Sequence, residues 1–156
     1  MVIHLIVIGQ KMPSWVDTAY HHYAKRMPGH CQLKLVALSA PTRGKSTSLE
    51  QLKQREAKRI EAAVPKGAYR VVLDEAGQQV STQGVSKKLS GWLAQGQDVA
   101  LIVGGADGLD QAVKQKAQWQ WSLSALTLPH PMVRVLVAEQ VYRAWTILAN
   151  HPYHRT

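Results

Sequence analysis

Val99-Ala100-Leu101-Ile102-Val103-Gly104-Gly105-Ala106-Asp107-Gly108 is a short aliphatic run that ends at once in glycines. No polar residue interrupts Val99 to Val103, so both sides of this strand need cover. Continuous apolar runs of this length belong to parallel sheets with helices on both faces. The glycines that follow permit positive φ and let a ligand come close to bare backbone. Leu109 to Lys116 then reads as a short helix. In open α/β sheets, ligands bind beyond the carboxyl ends of the strands. The spacing is not that of the dinucleotide fingerprint, whose second half is missing. Taken alone, the segment fits a tight strand-to-helix turn as well as a ligand loop.

The same alternation extends in both directions. Val2 to Ile8 predicts a buried strand closed by Gly9, and Pro13-Ser14 opens a helix from Trp15 to about Arg26, with Ser14 as candidate N-cap. Gln32 to Leu38 is a second strand, followed by a basic loop, Pro41 to Ser46, that carries Arg43 and Lys45. Thr47 and Glu50 stand at capping-box spacing before a charged helix that reaches Ala63. Tyr69 to Leu73 is a strand closed by the turn Asp74-Glu75-Ala76-Gly77, and Thr82 to Leu93 is a helix. Trp121 to Leu128 is either a strand or an extended loop. Pro131 to Asn150 is the longest helix, and His151 to Thr156 is a basic tail. The expectation is one α/β domain over residues 1–156, with a mostly parallel sheet and helices on both faces.

The 156 residues are 46% hydrophobic and 19% charged, a globular composition. No apolar run is long enough to span a bilayer. The first ten residues lack a basic leader and read as strand. One cysteine, Cys31, allows no intrachain disulfide and fits a reducing, cytoplasmic setting. Nineteen Lys and Arg against ten Asp and Glu leave a formal charge of +9, which favours a polyanionic partner. Nucleic acid comes first. The dispersal of the basic residues weighs against a membrane surface.

Three further segments carry chemistry. Leu123-Ser124-Ala125-Leu126-Thr127-Leu128 runs into Pro129-His130-Pro131. Prolines fix the chain and remove donors, which can leave backbone groups free for an adenine, a ligand that needs apolar walls and few charges. An ordinary buried strand before a proline-started helix explains the same residues. The last helix places Leu136, Val137, Val141, Trp145 and Leu148 at helical spacing, an apolar face long enough for a partner subunit as well as the core. Its Arg134 and Arg143 either reach phosphates or are solvated. The tail gathers Tyr153, His154 and Arg155 into a substrate-facing patch. Its two histidines have no Cys, Asp or Glu beside them, so no metal site is expected. No nucleophile elbow supports hydrolysis. Two rivals remain: a dehydrogenase, which would bind NAD, and a non-enzymatic RNA-binding factor.

Ile102-Val103-Gly104-Gly105-Ala106-Asp107-Gly108, Trp121 through His130, Arg134 through Gln140 with Tyr142-Arg143-Ala144, and the ending Asn150-His151-Pro152-Tyr153-His154-Arg155 closely resemble the large-subunit ribosomal RNA methyltransferase H family. Lys11-Met12-Pro13, Trp15 and Arg43-Gly44-Lys45 extend the resemblance over the whole chain. It is looser from about Ser46 to Gly96. Asp107, where a Glu is also familiar, and the terminal Thr156 are the minor departures.

The resemblance implies a SPOUT-type fold with a C-terminal trefoil knot. It implies S-adenosylmethionine as cofactor, held by Leu73, Gly104 and the run Leu123, Ser124, Ala125, Leu126, Thr127 and Leu128. It further implies a homodimer with the site near the interface, and methylation of N3 of a pseudouridine in large-subunit ribosomal RNA on the assembled ribosome. RNA contacts are expected from Arg43, Lys45, Arg134 and Arg143. N3 of pseudouridine is an imide nitrogen, so a base, or cations that stabilise its anion, would speed transfer. His154 suits a base or donor, Arg155 a fixed cation and Tyr153 a stacking platform.

Overall fold

The structure, a computed structural model, describes residues 1–155. Strands and helices alternate as β1 (Val2–Ile8), α1 (Ser14–Ala24), β2 (Gln32–Leu38), α2 (Leu49–Ala63), β3 (Tyr69–Gln79), α3 (Thr82–Gln95), β4 (Val99–Val103), α4 (Gln111–Gln115), β5 (Trp119–Ser122) and α5 (His130–Leu148). The strands form one sheet in the order β2-β1-β4-β3-β5, and every pair is parallel. All five residues of β4 are buried, as its uninterrupted aliphatic sequence requires of a strand between two neighbours.

Side-chain alternation divides the core into two layers. Ile3, Leu5 and Val7 face α1, α3 and α5, where they meet Tyr20, Leu89 and Val137. Ile6, Ile8 and Ile102 face α2 and α4, with Ile60 and Val113. The layers also fix the crossovers. The steps β1 to β2 and β3 to β4 run one way along the sheet over the α1/α3 face. The steps β2 to β3 and β4 to β5 run the other way over the α2/α4 face. All four therefore share one hand, as parallel connections do. After β5 the chain returns from the sheet edge to the first face, where α5 packs beside α1 and α3.

Several boundaries differ from the sequence reading, each for a local reason. The capping box falls one residue later than expected: Ser48 Oγ accepts from the Gln51 amide and Gln51 Oε1 from the Ser48 amide, both at 3.1 Å. Thr47 is engaged elsewhere, accepting from the Gly44 amide at 3.1 Å. Pro13, not Ser14, precedes α1. The Trp121–Leu128 segment divides, with β5 ending at Ser122 and the remainder forming a loop.

The largest difference is in β3, which does not end at Leu73. Asp74 to Gly77 form a bulge, after which Gln78 pairs again with Trp121, the residue already opposite Leu73. Gly77 is required here, because a Cβ at this position would lie 2.7 Å from the Gln120 carbonyl and 2.8 Å from the Trp121 nitrogen. Gly77→Ala must push β5 away from β3. Its expected cost is about 1–3 kcal/mol, the usual range for overpacking, read as a lower melting temperature with an unchanged far-ultraviolet spectrum.

Candidate active site

A cavity of about 600 Å³ opens at the carboxyl ends of β3, β4 and β5, within the range of small-molecule sites. Leu73 closes one side at the point where the β3 bulge begins. Gly104 and Gly105 form the floor beyond β4, and Leu123, Ser124, Leu126, Thr127 and Leu128 form the opposite wall. Three stretches far apart in sequence thus meet at one opening. Ala125 alone of the expected run does not line it.

Each wall has a local cause. Gly104 cannot carry a side chain, since a Cβ would sit 2.9 Å from both the Gly108 carbonyl carbon and the Leu109 side chain. The turn closes tightly, with the Gly108 amide donating to the Gly105 carbonyl at 3.1 Å and Gly108 at φ +82°. The opposite loop is held by Ser124, whose Oγ accepts from the Leu126 amide at 2.9 Å and whose carbonyl accepts from Ser122 Oγ at 3.1 Å. Leu126 is left 74% exposed at the rim.

Charge is sparse and placed at the edge. Asp74 Oδ2 is 2.8 Å from Lys114 Nζ, and that ammonium holds its carboxyl below the usual range. Glu75 stands beside it. The acidic pair can accept hydroxyl hydrogen bonds, while the apolar walls suit a flat ring. In sequence, Asp74 and Glu75 read only as a turn, and nothing marks Lys114. A bulge that folds the acids back over the next strand has no signature beyond Gly77.

His130 also lines the cavity. Burial, then the neighbouring Arg134 cation, lowers its pKa and so favours the neutral ring. It hydrogen-bonds the Gly104 backbone and accepts from Arg134 Nε at 3.3 Å. Arg134 is only 1% exposed, and its guanidinium donates to the Gly9 carbonyl at the end of β1. This corrects the expectation for Arg134. It neither reaches phosphate nor stands in solvent, because its donors are used inside the fold to tie α5 to β1 and, through His130, to the Gly104 loop. Arg143 is likewise engaged within the chain, donating to Glu139 Oε1 at 2.7 Å. Arg43 remains on the surface and pairs with Asp107, and Lys45 is exposed.

The tail is not at the cavity of its own chain. Tyr153 Oη donates to Glu139 Oε1 at 3.0 Å, its ring meets Tyr142 at 4.8 Å, and the Arg143 guanidinium lies 4.9 Å over it. Burial, then the Glu139 contact, raises the Tyr153 phenol to about 12. His154 Nδ1 is shielded from solvent and has no partner among the described residues, while Arg155 is exposed. Glu139 is a further two and a half turns along α5 from His130, about 14 Å at 1.5 Å per residue. Within one chain the cavity and the cationic end are separate.

Residues 1–154 match a family model described as "Predicted SPOUT methyltransferase". The chain is 64% identical over 155 residues to the ribosomal RNA large subunit methyltransferase H of Hydrogenovibrio crunogenus, and 52% identical over 155 residues to that of Bordetella petrii. Each alignment covers 99% of both chains. Among solved structures, a probable methylase family protein from Haemophilus influenzae superposes with a TM-score of 0.60 at 12% identity, covering 99% of this chain and 70% of that one. That last likeness concerns the fold alone.

Proposed function

The chain belongs to the SPOUT methyltransferase family, and on that premise we propose that it methylates N3 of a pseudouridine in large-subunit ribosomal RNA, in the cytoplasm and on the assembled ribosome. The methyl donor in this reading is S-adenosylmethionine, which supplies an electrophilic methyl group for an in-line displacement. The observation that carries the proposal is the convergence of Leu73, Gly104 and the Leu123–Leu128 run, Ala125 excepted, on one adenosine-sized cavity. The fit is chemical as well as spatial. Apolar side chains and close backbone suit an adenine, and glycine at 104 lets the turn beneath it close, since a Cβ there would meet Gly108 and Leu109. The charge of +9 suits an RNA partner, with Arg43 and Lys45 on the exposed loop beside Asp107 as phosphate contacts. The displacement calls for no metal.

The chain's remaining task is to place N3 and accept its proton. Tyr153, His154 and Arg155 have the chemistry for it, as a stacking ring, a proton acceptor and a cation for the developing imide anion. Because they lie far along α5 from their own cavity, the reading requires a homodimer in which the tail of one protomer faces the cavity of the other. Exposed Trp15, Met132 and Leu126 supply apolar surface for that contact. The threading of the C-terminal segment as a trefoil knot belongs to the same proposal.

The test is incubation with S-adenosylmethionine labelled in its methyl group and with unmodified ribosomes, followed by mass spectrometry of the RNA. Label on one pseudouridine is expected, and unlabelled RNA would favour a binding factor. The dimer has its own test. A chain deleted for Tyr153 to Thr156 and a chain carrying Gly104→Ala should each lose nearly all turnover. Mixed and allowed to exchange subunits, they should recover up to about a quarter of it, because about half of randomly paired dimers are mixed and each of those carries one intact composite site of its two. Failure to recover would place both halves of the site in one chain.

A further inference from the structure

Glu56 is the one buried carboxylate among the described residues, 8% exposed and set on the inner face of α2 between Leu52 and Ile60. A charge at the middle of an i, i+4, i+8 apolar stripe needs a partner. Its partner is backbone. The carboxylate lies so close to Gly105 that a Cβ there would fall 2.8 Å from Oε1 and 3.0 Å from Oε2, and the Gly105 backbone is foremost among the influences that oppose the rise in its pKa. Gly105 also lines the cavity. The loop that forms the floor is thus gripped from behind by α2, while the Arg43–Asp107 pair holds it from outside.

We propose that Glu56 is a positioning residue for the cofactor loop: by accepting the Gly105 amide, its carboxylate fixes the peptide that the bound ligand must meet. The inference rests on the reading of this cavity as the cofactor site. Burial, the foremost cause, raises the Glu56 carboxyl above its ordinary range. Asp107 adds to this, while the Gly105 backbone, Arg43 and Arg59 oppose it. Residue type matters at this position as much as space: an amide retains an acceptor, and a thioether of similar reach does not.

The experiment compares Glu56→Gln with Glu56→Met in full-length protein. S-adenosylhomocysteine affinity is measured by calorimetry and the Gly105 amide is followed by nuclear magnetic resonance. Glu56→Gln should bind within about threefold of the parent. Glu56→Met should bind about tenfold or more weakly, the scale of one lost charge-assisted hydrogen bond. In the unligated parent, the Gly105 amide resonance should move with pH as Glu56 titrates, and in Glu56→Gln it should not. Equal affinity of Glu56→Met and parent, or a Gly105 amide that titrates identically in Glu56→Gln, would overturn the proposal. The resonance measurement needs no ligand, so it still decides if Glu56→Met fails to fold. If the parent itself does not bind S-adenosylhomocysteine, the cofactor reading fails, and the tie between Glu56 and Gly105 is judged on the amide alone.

Discussion

Gly104→Ala is expected to weaken S-adenosylhomocysteine binding and methyl transfer on the order of a hundredfold, the scale of loss that follows a misplacement of about 1 Å. The added Cβ meets backbone at Gly108 on one side and the packed Leu109 side chain on the other, each at 2.9 Å. Neither can swing away as the end of a flexible side chain does. The turn must therefore move, and it moves into the cavity or away from His130, whose ring holds the Gly104 backbone. The cost in stability should be smaller, about 1–3 kcal/mol, because β4 itself is unaffected. Calorimetry and a melting curve on the same sample separate the two effects. Parent-like affinity would mean that the glycine floor does not meet the ligand.

Arg134→Met is expected to lower stability by about 3 kcal/mol, the sum of a lost charge-assisted bond from a buried guanidinium and a half-buried carbonyl left without its donor. For a chain of this size that is a fall of about 6–12 °C in melting temperature. Methionine retains much of the apolar stem but neither donates to the Gly9 carbonyl nor to the His130 ring. Lysine should not rescue the loss, since one ammonium cannot serve both acceptors in the geometry of the planar fork. The same group of residues sets a pH dependence. Burial and Arg134 lower the His130 pKa, so the unfolded chain takes up that proton first. Stability should then fall as pH drops below about 6.5, the ordinary histidine value. A surface role for Arg134 would instead leave the melting temperature unchanged and reduce only the salt dependence of RNA binding.

The sheet was legible because its strands are written as aliphatic runs punctuated by glycine and proline, and parallel burial leaves no other reading for Val99 to Val103. The bulge of β3 was not legible. Asp74 and Glu75 look like the end of a strand, and only the close approach of Gly77 to Gln120 carries the chain back to β5. The three walls of the cavity were legible as turns and prolines beyond strand ends, though only the family resemblance joined them into one site. The roles of the arginines were hidden, because sequence reports charge but not depth. Arg134 looks like any cation on a helix, while its neighbours Val137, Ala138 and Val141 fix it inside the core. Glu56 did leave a trace, as a carboxylate at a core position of α2. The tail was legible in its residue types but not in its place, since its distance from the cavity of its own chain follows from Tyr153 being held by Glu139 and Arg143 of α5.

The cavity at the carboxyl ends of β3, β4 and β5 is most directly tested by adding S-adenosylhomocysteine to isotope-labelled protein and mapping the backbone amide resonances that shift. Shifts confined to Leu73 to Glu75, Gly104 to Gly108 and Ser122 to Leu128 are the expected result. No shift in those three stretches, or shifts centred on α1 and the end of β1 instead, would contradict it.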